Sequence, residues 1–208
     1  MRRRWYAVSV AAAAVLGVSI GVAFHGRLTG SAAADSAAVP KLHGEAIWGS
    51  GRRAAPDFAL RDQHGRTVSL ASLRGRTIAL SFLDSICRQA CPIEGRMLAS
   101  AIGQVRGTAR PQLLVVSVDP GGDTPRSVAH AVRRWNLPAG TLWLLGTRAE
   151  LKPVWDAYQI TVDPVSGSIV HSTAVYLLDK HGYERAGFLM PFVPALVADD
   201  LRVLGGET

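Results

Sequence analysis

The chain has 208 residues, enough for one domain with its own hydrophobic core and a short appendage. A core of that size needs no framework of disulfides, and only two cysteines are present. The net charge is +7, but four arginines lie in the first 34 residues, which leaves 19 basic and 16 acidic groups elsewhere. The remainder has no dense run of Lys or Arg interleaved with aromatic residues, so we expect no nucleic-acid binding.

A basic N-terminus precedes a long apolar run. Residues 1–4 carry three arginines, and residues 5–24 contain no charged side chain, a length that spans a bilayer as one helix. The positive-inside rule keeps residues 1–4 in the cytoplasm, so we predict a single-pass cell-membrane protein with its body on the extracytoplasmic side. A cleaved signal peptide is the alternative, because Ala32, Ala33 and Ala34 offer a small-residue cleavage site. Both place the body where disulfides persist.

The segment after the apolar run is rich in Ala, Ser and Gly and has no apolar periodicity. We predict that residues 25–55 form a flexible linker and that a globular domain occupies residues 56–208.

The predicted elements of this domain alternate between strands and helices. A hairpin comes first, with strands at 58–60 and 67–70 around a turn that contains Gly65. Further strands are predicted at 77–83, 112–118, 141–145, 172–178 and 183–188, and helices at 92–107, 125–135, 148–158 and 192–204. Residues 160–171 are predicted to be irregular. This order indicates an α/β domain whose sheet is mixed, because the last two strands form an antiparallel hairpin.

The two cysteines lie three residues apart, between a predicted strand and the helix that follows it. Pro92 suits the first helical position, so Cys91 is expected to be the N-cap. A helix N-terminus favours anions, and Arg88 adds a positive charge beside Cys87. Both effects favour the thiolate, which is the nucleophile in disulfide exchange and the ligand for soft metals.

Three roles remain open for this pair of thiols. A structural disulfide would close a loop of only about five residues and stabilise the fold by only about 2 kcal/mol. A redox pair of the thioredoxin kind usually has two residues between its cysteines, whereas three separate Cys87 from Cys91. The extra residue leaves room for a bound ligand, which makes a metal site the third role.

A metal site would need a further ligand, and the histidines are the candidates. His171 precedes a predicted strand. Taken alone, a histidine in this position is more often a surface loop residue than a metal ligand. The others are placed outside the domain (His25, His43), in turns (His64, His181) or on a helix (His130). The loop acids Asp119 and Asp123 are interpreted as turn and helix-start residues.

Several motifs together resemble the Sco/SenC family of copper chaperones. They are Cys87-x-x-x-Cys91-Pro92, Val118-Asp119-Pro120 with Asp123-Thr124-Pro125, and His171-Ser172 followed by Val175-Tyr176-Leu177-Leu178-Asp179 and Gly182, in the family's order. The resemblance implies a thioredoxin-like fold in which Cys87, Cys91 and His171 bind copper, as Cu+ or Cu2+. Ligand type alone would also allow zinc.

The resemblance also implies a role in cytochrome c oxidase assembly. Such a protein delivers copper to the dinuclear copper site of the oxidase or reduces the thiols there, so its expected partner is the copper-binding subunit or another copper chaperone. The family usually has Pro and Asp after the first Cys, where this chain has Arg88 and Gln89. The alternative is an extracytoplasmic thiol–disulfide oxidoreductase that uses Cys87 and Cys91 without metal.

Overall fold

The computed structural model describes residues 41–107, 110–165 and 168–207. Its strands are β1 (Ala46–Ile47), β2 (Ala59–Asp62), β3 (Thr67–Ser69), β4 (Ile78–Leu83), β5 (Gln112–Ser117), β6 (Leu142–Leu145), β7 (Val162–Val165), β8 (Ser168–His171), β9 (Ala174–Leu178) and β10 (Glu184–Leu189). Its helices are α1 (Ala90–Gly103), α2 (Pro125–Arg134), α3 (Arg148–Ala157) and α4 (Pro194–Gly206).

Eight of these strands form one mixed sheet in the order β1-β10-β9-β4-β5-β6-β2-β3. The three central strands β4, β5 and β6 are parallel, and every other pair of neighbours is antiparallel. The predicted mixed α/β sheet flanked by helices is therefore confirmed, as is the N-terminal hairpin β2–β3. Because β4, β5 and β6 run in the same direction, their carboxyl ends meet at one edge of the sheet.

Strand β4 lies at the centre of the molecule, and all six of its residues are buried. Ala79 and Leu83 contribute to a core cluster shared with α1, α2 and α4, whereas Leu80 and Phe82 contribute to a second cluster shared with α3. Side chains of a strand alternate between its faces, so β4 packs against a helical layer on each side.

The starts of α2 and α3 follow the capping chemistry that the sequence predicts. Thr124 accepts a hydrogen bond from Ser127 N–H at 3.1 Å, with Pro125 at the first helical position. Thr147 and Glu150 form a reciprocal capping box at α3.

The predicted linker extends too far towards the domain. Residues 41–55 belong to the compact unit: Leu42 is buried, and β1 pairs with β10. His43, which was placed outside the domain, donates its backbone N–H to the fully buried Asp200 of α4, and its Nδ1 lies 2.7 Å from the same carboxylate.

Two further expectations differ from the structure. Residues 160–171 were predicted to be irregular, but β7 and β8 pair as an antiparallel hairpin that places Val162 opposite His171. Helix α1 begins at Ala90 and ends at Gly103, so its N-cap is Gln89 rather than Cys91.

The predicted cytoplasmic stub at 1–4 and the membrane anchor at 5–24 lie outside the described residues. Within residues 41–107, 110–165 and 168–207, none of the helices is both long enough and apolar enough to cross a bilayer.

Candidate metal centre

The two cysteines lie at the edge of the sheet where the parallel strands end. Asp84 follows β4 directly, and its Oδ1 accepts hydrogen bonds from the backbone N–H groups of Ile86, at 2.8 Å, and Cys87, at 3.1 Å. An aspartate that bonds the amides two and three residues later stabilises a tight turn. This turn places Cys87 at the surface and starts α1 three residues later, so that Cys91 lies in the first helical turn.

Asp123 anchors this turn to the rest of the fold. Its Oδ1 accepts the backbone N–H of Ser85 at 2.8 Å, and its Oδ2 accepts the indole N–H of Trp143 at 3.3 Å. Burial raises the pKa of Asp123 to about 6. The sequence interpretation of Asp123 as a helix-start residue missed this role, because Ser85 is distant in sequence. Asp119, in contrast, is the turn residue that was expected: it accepts the N–H groups of Gly121 and Gly122.

His171 reaches the cysteines from the end of β8. Its Nε2 lies 3.5 Å from Cys91 Sγ, and its Nδ1 lies 2.9 Å from the carbonyl oxygen of Ser172. A carbonyl can only accept, so Nδ1 carries the proton and Nε2 presents its lone pair to the thiol. Burial lowers the pKa of His171, which favours the neutral imidazole that metals require.

The sequence predicts a thiolate at Cys91, but the structure favours the neutral thiol. Its residue is almost completely buried, and burial raises the pKa of Cys91 far above its ordinary value, although the backbone N–H of Asp84 opposes this. The Arg88 side chain points to solvent and does not compensate. Burial therefore favours the neutral thiol of Cys91, whose Sγ faces the Nε2 lone pair of His171.

The predicted site residues are brought together to different degrees. Cys91 and His171 are in contact across 80 residues of sequence. Cys87 is partly exposed, packs beside the core cluster of α1, and interacts with the Cys91 side chain; both thiols are free. In the described parts of the chain, no group of three or more His, Cys, Asp or Glu side chains is already arranged around a common metal position.

The chemistry of these donors fits a soft metal. Two sulfurs and an imidazole with a free Nε2 lone pair are the donor types that Cu+ and Zn2+ bind, and among the described residues no carboxylate is hydrogen-bonded to the side chain of Cys91 or His171. The fixed Nδ1–H bond to a backbone carbonyl is also the outer contact that metal-binding histidines usually make.

A buried acid lies one helical turn beyond Cys91, and the sequence analysis did not predict it. Glu94 accepts the hydroxyl proton of Ser81 at 2.6 Å, while its other carboxylate oxygen has no hydrogen-bond partner. Burial raises the pKa of Glu94 to about 7. A charged residue on the apolar face of a predicted helix is the signal that would have marked it.

Comparison with known proteins identifies the class to which this fold and site belong. The family model for SCO1/SenC matches residues 49–203, and the chain is a member of that family. A protein from Stutzerimonas stutzeri described as a putative copper-binding protein is 27% identical over 146 residues, which cover 67% of this chain and 71% of the relative.

A second relative and a solved structure give the same result. The sco1 protein of Schizosaccharomyces pombe is 24% identical over 135 residues, which cover 60% of this chain but only 51% of the relative. The structure of Bradyrhizobium japonicum ScoI with copper bound matches with a TM-score of 0.63 at 24% identity, and the match covers 73% of this chain and 99% of that one. This structural likeness confirms the predicted fold.

Proposed function

We propose that this protein binds copper through Cys87, Cys91 and His171 and delivers it to the dinuclear copper site of cytochrome c oxidase, or reduces the thiols of that site. The observation that carries the proposal is the 3.5 Å contact between Cys91 Sγ and His171 Nε2. Family membership and the copper-binding relatives support it. Copper is here the cargo of the protein.

The protonation of the site sets the conditions for binding. Thiolates suit Cu+ and imidazole suits copper generally, but burial keeps Cys91 protonated. Binding must therefore displace the Cys91 proton, which couples copper affinity to pH. Copper binding displaces no proton from His171, because its Nε2 atom already lacks one.

The apolar segment at residues 5–24 supports the location that the proposal requires. With three arginines before it, a membrane anchor there places the domain on the extracytoplasmic side of the cell membrane. The acceptor would then be the copper-binding subunit of the oxidase or another copper chaperone on that side.

A copper titration of the reduced protein tests the copper site. Wild-type protein should bind one equivalent of Cu+ in competition with a chromophoric chelator. His171→Ala should weaken binding by at least about tenfold, since even the loss of an outer-shell partner costs that much. His130→Ala removes an exposed histidine from α2 and should bind like the wild type. Absence of stoichiometric copper, or equal affinity in His171→Ala, would contradict the proposal.

A second function is favoured by the state of the two thiols. Cys87 and Cys91 are free, interact with each other, and one of them is accessible to solvent. A disulfide exchange in which Cys87 and Cys91 become a disulfide, and the disulfide of a substrate protein becomes two thiols, needs no metal. Such activity should survive His171→Ala, whereas copper binding should not.

A further inference from the structure

Three half-exposed aliphatic side chains flank the candidate ligands. Ile86 precedes Cys87, Ile93 follows Cys91 by two residues, and Val170 precedes His171, with exposed fractions of 53%, 48% and 58%. A single exposed apolar side chain is ordinary on a protein surface, whereas several of them near one functional group are typical of a surface that another molecule covers. We call Ile86, Ile93 and Val170 the apolar rim.

Sheet topology extends this surface along the same edge. Leu189 at the end of β10 pairs with Ala174 at the start of β9, and β9 starts where β4 ends, because Val175 pairs antiparallel with Ser81. Val165 and Val193 are also half exposed, on the β7–β8 hairpin and just before α4. Ile47, another exposed aliphatic side chain, lies on β1, the edge strand of the main sheet.

Two arginines are exposed beside the rim. Arg88 is exposed next to Cys87, and Arg126 is exposed at the start of α2; neither takes part in the ion pairs of the described residues. Two acids of this loop cluster, Asp84 and Asp123, are buried and bonded to backbone amides, whereas Asp119 is partly exposed and lies beside Ile86. Asp163, which is exposed, pairs with Val170 in the β7–β8 hairpin.

We propose that the apolar rim together with Arg88 is the docking surface for the protein that accepts the metal, a partner whose own thiol or imidazole ligands lie within an apolar face that carries an acidic side chain. This inference rests on the proposed function. Ligand exchange brings the acceptor's donors to within about 2–2.3 Å of the metal, so the acceptor must cover the residues that adjoin the ligands.

The composition of the surface supports this occupant over a second copy of the chain. Aliphatic groups with an arginine at their margin are typical of protein interfaces. A two-fold contact between copies around the same centre would bring each Arg88 towards its counterpart, and like charges oppose that association. An acidic partner has the complementary charge.

Transfer kinetics distinguish docking from copper retention. The full chain is loaded with Cu+ and mixed either with a small chromophoric Cu+ chelator or with the reduced, metal-free copper domain of a cytochrome c oxidase. The chelator needs no docking surface. The double variant Ile86→Ser/Ile93→Ser removes two of the three side chains of the rim, and Ile47→Ser is its matched control because Ile47 is 50% exposed on β1.

The double variant should transfer copper to the protein acceptor at least about fivefold more slowly, as loss of central apolar contacts typically costs more than 1 kcal/mol. Its transfer to the chelator should stay within twofold of the wild type, about the scatter of such rates. Ile47→Ser should match the wild type in both arms. Equal rates with the protein acceptor, or equal slowing in both arms, would overturn the docking inference.

A charge reversal tests the chemistry of the partner. Arg88→Glu should slow transfer to the protein acceptor several-fold at low salt, and the difference should shrink at high salt. Arg52→Glu is the control, since Arg52 is exposed in the loop before the Ala54–Tyr183 bridge at the opposite end of the sheet. Faster transfer by the Arg88→Glu variant would overturn the inference that the partner surface is acidic. A wild-type chain that binds no copper would instead refute the proposed function itself.

Discussion

At the scale of single residues, opposing influences on Cys91 can be ranked by size. A helix N-terminus stabilises a nearby anion by about 0.3–1 kcal/mol, and an exposed arginine adds little more. Burial of an ionisable group shifts its pKa by up to 3–5 units, which is several kcal/mol. Burial is therefore the stronger influence, and it raises the pKa of Cys91 in spite of its position at the start of α1.

Glu94 gives a residue-scale prediction about pH. Its pKa is raised from 4.5 to about 7, so the folded state holds a proton that the unfolded chain has released between these values. The contribution of Glu94 to the free energy of unfolding is thus highest below pH 4.5 and declines as the pH rises to about 7, by roughly 2–4 kcal/mol. Asp123, whose pKa is raised from 3.8 to about 6, adds a further decline in the free energy of unfolding as the pH rises between these two values.

Glu94→Gln should remove the part of this decline that lies between pH 6 and 7, because the amide cannot titrate and still accepts the Ser81 hydroxyl proton. Urea unfolding of the reduced, metal-free protein at several pH values measures it. A variant whose stability declines as steeply as that of the wild type above pH 6 would show that Glu94 is not the titrating group.

At the scale of elements, the hairpin that carries His171 could not be predicted from local pattern. Strand β7 contains Pro164, and the residues after Val162 are exposed, so neither alternation nor propensity marks it as a strand. Pairing with β8 defines it. The central strands β4, β5 and β6 were predictable because they are short apolar runs bounded by turn residues, whereas β1 lies in the segment that was predicted to be a linker.

Helix α1 offers a matched pair of glycine substitutions. A Cβ on Gly95 would lie 2.7 Å from the ring of Trp135, which is buried beyond the end of α2. A Cβ on Gly103 would meet nothing within 4 Å. Gly95→Ala should therefore destabilise the protein by about 1–3 kcal/mol from overpacking, offset in part by helix propensity.

Gly103→Ala should instead be neutral or stabilise the fold by up to about 1 kcal/mol, because only the propensity gain applies. Denaturant midpoints of the two variants measure the contrast. If Gly95→Ala proves as stable as Gly103→Ala, α1 does not pack against Trp135 as closely as the structure shows.

At the scale of the whole molecule, residues 41–55 decide where the domain begins. This segment buries Leu42 and adds β1 to the sheet. It also places Arg53 Nε 2.6 Å from Glu184 Oε2; Glu184 is fully buried, and neither of its carboxylate oxygens has an aligned hydrogen bond. Removal of Arg53 would leave that carboxylate buried without its cation.

Two truncated chains test this boundary. A chain that begins at Lys41 should fold with a cooperative transition, whereas one that begins at Pro56 should lose at least about 3 kcal/mol, since it forfeits the buried Leu42 and the cation that faces the buried Glu184. Thermal and urea unfolding of both chains provide the measurement. Equal stability of the two chains would show that the domain begins near residue 56, as the sequence predicts.

The sequence by itself determined the order of the helices and of strands β2 to β6, β9 and β10, the capped starts of α2 and α3, and the position of the two cysteines between β4 and α1. These features depend on hydrophobic periodicity, on capping residues and on Gly and Pro residues that end helices and strands, all of which are local. His171 and the copper assignment came from resemblance to the family.

Only the tertiary structure decided which groups meet and how they are ionised. The contact of His171 with Cys91, the anchoring of Ser85 by Asp123 and the link of His43 to Asp200 each join residues far apart in the chain. The burial of Cys91 and Glu94, and the exposed apolar rim around the thiols, arise from packing of whole layers. Contact and burial depend on how distant segments are brought together, and no local pattern encodes them.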